Sequence, residues 1–156
     1  RESRRLMGDY ILKEDDITKN VSHEDASFAT TWSIDLHWQD PKNSEHFPGN
    51  EFKAVTKHIL IHPYAVPYRC LYSRNVENLF MAGRTVRVMR TTGMMGEVVG
   101  MAASLCKKYD VTPRGVYRSH LEDLKTLMKE GVNKKGLPNN QRYNEGGILK
   151  DKPVVQ

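Results

Sequence analysis

The feature that most constrains this chain is the unit from Asn75 to Cys106. A polar turn, Ser73 to Asn78, leads into a short, uniformly apolar run, Leu79-Phe80-Met81-Ala82, which Gly83 ends. Such a run reads as an interior strand of a parallel sheet. A glycine-spaced segment follows, and its pattern predicts a buried helix over Gly93 to Lys108. Gly96, Gly100 and Ala103 fall at i, i+4 and i+7 on one helical face that carries almost no side chain. That face admits a backbone or a ligand closely. With the helix starting at Gly93, the N–H groups of Thr92 to Met95 are the ones without an intrahelical partner, and the helix dipole adds positive charge there. An anion or an electron-rich ring edge suits that position. Close helix–sheet packing explains the same pattern equally well.

The rest of the chain supplies strands before this unit and helices after it. Leu6 to Leu12 reads as a strand containing Gly8, Glu14-Asp15-Asp16 opens a turn or short helix, and Val21 to Phe28 reads as loop. Thr30 to Trp38 alternates with period two. Trp32, Ile34, Leu36 and Trp38 form an apolar row, and Thr31, Ser33, Asp35 and His37 a polar one, so the polar face is a candidate site wall. Gln39 to Asn50 is a loop by its Pro, Gly and Asn content. His58 to His62 is a short strand, and Pro63 and Pro67 keep the next stretch extended. Thr112-Pro113 is a helix start with a capping threonine, the stripe Leu121, Leu124, Leu127 and Met128 continues it, and Gly131 stops it. Residues 132–156 read as an irregular tail. The segments group as a sheet segment over 1–74, a strand–helix unit with a final helix over 75–131, and the tail over 132–156.

Composition removes several function classes. The 156 residues carry 24 basic and 19 acidic side chains, a net charge of +5. The basic pairs Arg4-Arg5, Lys107-Lys108 and Lys134-Lys135 are scattered, so no nucleic-acid partner is expected. The apolar run Met94 to Cys106 contains Glu97 and is too short to span a bilayer, so no membrane partner is expected either. Cys70 and Cys106, the two cysteines, stand apart from any ligand-spaced histidine or cysteine. They read as free thiols, with no metal site and no disulfide framework.

The segment Val76-Glu77-Asn78-Leu79-Phe80-Met81-Ala82-Gly83-Arg84, followed by Arg87, Arg90, Gly93, Gly96, Gly100 and Ala102-Ala103, resembles the last flavin-binding segment of FAD-dependent oxidoreductases with a glutathione-reductase-like fold. Arg1-Glu2-Ser3-Arg4-Arg5 with Gly8-Asp9-Tyr10, Trp32-Ser33-Ile34-Asp35, His62-Pro63-Tyr64 and Pro67-Tyr68-Arg69 match the same group, as does Thr112-Pro113-Arg114. The resemblance covers residues 1–131. It implies an α/β chain that is part of a Rossmann-like flavoprotein fold, with FAD as cofactor and hydride transfer to or from a small-molecule substrate. The residues it places at the flavin are Ala82, Gly83, Arg84, Arg90, Thr91, Thr92, Gly93, Met94 and Met95.

Two departures qualify the resemblance. Gly93-Met94-Met95-Gly96 is not the GxGxxG fingerprint and no such fingerprint follows a strand here, so the ADP site belongs to an N-terminal region outside this chain. The link from Gly83-Arg84 to Arg87 is also shorter than in the family. Either a deletion or the loss of residues unordered without flavin accounts for it.

On the substrate side, Arg69, expected on the face opposite Tyr68 in an extended run from Tyr64 to Tyr72, suits a carboxylate. His62, His37 and Tyr68 are candidates for the proton that accompanies hydride transfer. Two other readings stand beside this one. Tyr, His and Arg on a sheet also suit β-elimination on a uronic-acid polysaccharide. A truncated, inactive domain that forms a homo-oligomer through uncovered faces is the third.

Overall fold

A computed structural model describes residues 6–30, 32–39, 54–82 and 89–132. The fold is mixed α/β. A short helix α1 (Glu14–Thr18) precedes the strands β1 (Ala26–Thr30), β2 (Ile34–Gln39), β3 (Ala54–Ile59) and β4 (Tyr64–Pro67). A 3₁₀ turn over Tyr68–Cys70 follows, then the helices α2 (Met89–Tyr109), α3 (Pro113–Ser119) and α4 (Leu121–Glu130). β1 pairs with β4, and β2 with β3, both antiparallel. All the described pairing is antiparallel.

The acidic stretch does open α1, where the Lys13 N–H donates to Asp16 Oδ2 at 2.9 Å. The expected strand Leu6 to Leu12 reduces to a single bridge, Gly8 with Ser73. Leu79 to Ala82 likewise contributes only the bridge of Phe80 with Tyr72. A run this short and apolar is held by the core at Phe80 without the partners that a parallel strand needs. Val21 to Phe28 is not all loop, since β1 starts at Ala26 and is buried throughout. The alternating stretch is divided between the end of β1 and β2, and the strand expected at His58 to His62 lies earlier, as β3.

Orientation departs from expectation as well. Of the apolar row, Trp32 is 47% and Leu36 40% exposed, whereas the Asp35 side chain keeps only 6%. Period two separates two faces without saying which one the rest of the chain covers. The loop Gln39 to Asn50 and the tail beyond Val132 lie outside the described residues, apart from Gln39 at the end of β2.

α2 is the centre of the core. Met94, Met95, Val98, Ala102 and Leu105 are buried on one side of it, against Phe28 and Val66 of the β1–β4 pair and Val116, Leu124 and Met128 of α3 and α4. The stripe Leu124 and Met128 thus meets the core as its spacing requires. The helix start at Thr112 holds: its Oγ1 accepts from the Gly115 N–H at 3.2 Å, with Pro113 first in α3. Gly131 ends α4 with φ 70, in the left-handed region that favours glycine. Both cysteines are free, and no described helix is long and apolar enough to cross a membrane.

Gly8 shows how tightly the N-terminal segment is applied. A Cβ there falls 2.9 Å from the Tyr10 carbonyl oxygen and 3.0 Å from that of Arg69. Both obstacles are backbone and do not swing aside. Gly8→Ala is expected to lower stability by about 1–3 kcal/mol, as overpacking does. A thermal melt of the variant against the wild type measures this, and an unchanged melting temperature contradicts the tight docking.

Candidate functional site

Arg69 sits in the 3₁₀ turn after β4, and Asp25 immediately precedes β1, so the antiparallel pairing of these strands brings them together. The Arg69 Nε–H and an Nη2–H donate to Asp25 Oδ2 and Oδ1, each at 2.9 Å, and the Arg69 backbone N–H donates to Oδ2 at 2.9 Å. The Asp25 main chain joins in, its carbonyl accepting from the Tyr68 N–H at 2.7 Å. This carboxylate has no solvent-exposed side-chain surface, and a bidentate fork with an added N–H is what such a buried charge requires. The bonds to Asp25 hold the guanidinium above its already high ordinary pKa.

Two tyrosines line the guanidinium. Its central carbon lies 5.2 Å from the Tyr10 ring centroid and 5.1 Å from that of Tyr117 in α3, within cation–π range. The Tyr117 hydroxyl donates to Glu24 Oε1 at 2.6 Å, which raises the pKa of the phenol, with burial second. Arg69 is therefore fixed on several sides.

Tyr68 adopts a different role from the one expected. The 3₁₀ turn replaces the extended run, so Tyr68 enters the core while Arg69 stays at its margin. The Tyr68 side chain is fully buried, and its hydroxyl donates to the Pro113 carbonyl at 2.9 Å. Burial raises its pKa well above the usual phenol value. The hydroxyl is thus a tether between the turn and α3. Cys70, next in the turn, lies against the Tyr10 carbonyl at 3.4 Å, and burial pushes its thiol up to about 12. It is not a thiolate nucleophile.

The histidine candidates occupy other places. His62 is half-buried between β3 and β4. His37 stands on β2 opposite Thr56; its side chain lies outside the described residues. Two residues further back, Asp35 pairs in register with His58 of β3, and His58 Nε2 lies 3.2 Å from Asp35 Oδ1. The contact sets an exposed imidazole beside a largely buried carboxylate. Sequence reading marked Asp35 and His37 but passed over His58. It also passed over Asp25, which is 44 residues from Arg69. Only knowledge of the strand pairing finds either one.

At the expected flavin segment, Ala82 is exposed, and Gly83 and Arg84 lie outside the described residues, as does the Arg90 side chain. α2 already runs from Met89. Gly93 is consequently in the second turn, and the N–H groups of Gly93 to Met95 lie inside the helix and do not face a ligand. The positive end of the helix falls a turn earlier, at Met89. Thr91, Met94 and Met95 are buried, the two methionines as core residues, whereas Thr92 and Gly93 are exposed. The small face lies open: a Cβ at Gly93, Gly96 or Gly100 meets nothing within 4 Å. Among the described residues, no close packing accounts for these glycines.

A second ion pair anchors the surroundings. The Arg114 Nε–H and an Nη2–H donate to Asp9 Oδ2 and Oδ1, each at 2.7 Å. The bond to Arg114 lowers the Asp9 pKa from its ordinary 3.8.

Comparison with known proteins gives one result: a model of the family described as FAD dependent oxidoreductase matches residues 1–128. No curated protein and no solved structure matches the chain.

Two outcomes test this geometry. Asp25→Asn withdraws the charge that the buried end of Arg69 faces. Breaking such a pair costs about 3 kcal/mol, read from urea unfolding; a loss below about 1 kcal/mol puts the pair at the surface. The second concerns acid. Because the folded pKa of Asp9 is depressed, its contribution is present above 3.8 and disappears as pH falls through the lower folded value. The Asp9→Asn variant is expected to show a shallower loss of stability below that pH than the wild type, in melts recorded across the acid range.

Proposed function

The chain belongs to the FAD dependent oxidoreductase family, and from that premise we propose that it takes part in hydride transfer between a small organic substrate and FAD. The family match supports the cofactor and the general class of reaction. The row of Gly93, Gly96 and Gly100 carries the reading for this chain, because these glycines are open where helix packing would have closed them. Thr92 and Gly93, with Ala82 and the neighbouring Gly83, Arg84 and Arg90, would lie along the cofactor. Bound FAD supplies the electron-pair acceptor or donor for the hydride.

Arg69 would orient the substrate. His58, held by Asp35, and His62 and His37 would handle the proton that accompanies the hydride. The adenine half of FAD would be held by a region that carries the GxGxxG fingerprint, beyond this chain.

Gly96→Leu tests the reading. A Cβ at Gly96 meets nothing within 4 Å among the described residues, and leucine is the better helix former by about 1 kcal/mol, so the melting temperature should hold or rise. Flavin should nevertheless be lost from the variant in gel filtration, where the protein, or a form extended at its N-terminus, retains yellow flavin. Equal retention by both moves the flavin away from α2. No retention by either form of the wild type removes the oxidoreductase proposal for this chain.

A further inference from the structure

The Arg69 guanidinium is immobilised but not saturated. Its Nε–H and one Nη2–H are on Asp25, and the rings of Tyr10 and Tyr117 lie against it. The N–H groups of Nη1 and the second one of Nη2 have no partner among the described residues, and the side chain remains 24% exposed. These N–H groups form the end-on edge of the fork, whose spacing matches the two oxygens of a carboxylate.

We propose that this edge binds a carboxylate, and that the substrate is therefore an organic carboxylic acid; the second clause rests on the hydride-transfer reading, the first does not. Three observations give the ligand its chemistry. The ordering of a long side chain, which usually opposes binding, has already been met by Asp25 and the two rings. Asp25 also cancels the arginine's charge, so recognition depends on the paired N–H geometry more than on attraction to any anion. Glu24, fixed close by through Tyr117, adds negative charge that disfavours a polyanion. A singly charged, planar oxyanion with an apolar body that rests against the tyrosine rings meets all three conditions. A phosphate does not.

The test uses the full chain, with and without added FAD. Acetate is titrated while the Arg69 side-chain N–H and tyrosine ring signals are followed by NMR, with acetamide and inorganic phosphate as matched probes. Saturable shifts with acetate, and none with the other two, are expected. Glu24→Gln, at an exposed position, should tighten acetate binding about threefold, the scale of one exposed charge interaction. Arg69→Lys should abolish the saturation while the circular dichroism spectrum persists. If that variant unfolds, Glu24→Gln alone decides. A response to acetamide equal to that of acetate, no saturation in the wild type, or an unchanged affinity in Glu24→Gln overturns the site. Acetate binding by a chain that retains no flavin keeps the carboxylate site and removes the substrate clause. Flavin retention without acetate binding leaves the oxidoreductase reading in place and removes this one.

Discussion

The buried Asp25 carboxylate is the constraint on which the rest of this structure depends. A charge without solvent contact is tolerable only where donors converge on it. Three N–H groups of Arg69 do so, and the Asp25 carbonyl accepts a further bond from Tyr68. Meeting that demand fixes the turn after β4. The turn then divides two neighbouring side chains, sending Tyr68 inward to Pro113 and leaving Arg69 at the rim. The entry to α3, the pairing of β1 with β4 and the orientation of the guanidinium are thus parts of one arrangement.

How much of this was legible depends on the range of the chemistry involved. Thr112-Pro113 and Gly131 were readable because a cap and a left-handed stop are decided by neighbouring residues. The stripe through Leu124 and Met128 was readable because its spacing is local and its burial follows. The start of α2 was not. Gly93 looks like a boundary, but Met94 and Met95 bury against the sheet, and that gain exceeds the modest cost of glycine in a helix. The mixed α/β class and the FAD family were recoverable from the motifs, and the family match over residues 1–128 agrees.

The site was legible by residue type and not by partnership. Arg69 was singled out, but nothing in the order of residues joins it to Asp25. The same holds for His58 and Asp35, which meet only because β2 and β3 pair in that register. Alternation around Asp35 announced two faces, and the surprise is that the Asp35 carboxylate is covered while Trp32 and Leu36 are exposed. Tyr68 is the instructive case. As a tyrosine beside an arginine it reads as chemistry, yet a short turn places its hydroxyl against a core carbonyl.

The Asp9–Arg114 pair spans 105 positions of the chain. Gly8 and Tyr10 on either side of Asp9 lie against Ser73 and Arg69. The first described segment is therefore closed by residues made much later. Contacts of such separation require a large loop to close before they return any free energy, and chains rich in them fold slowly. On the ribosome, the stretch around Gly8 has to wait for the turn after β4, and the Asp9 carboxylate for Arg114 of α3. The order of synthesis and the order of assembly are, at this end of the molecule, opposed.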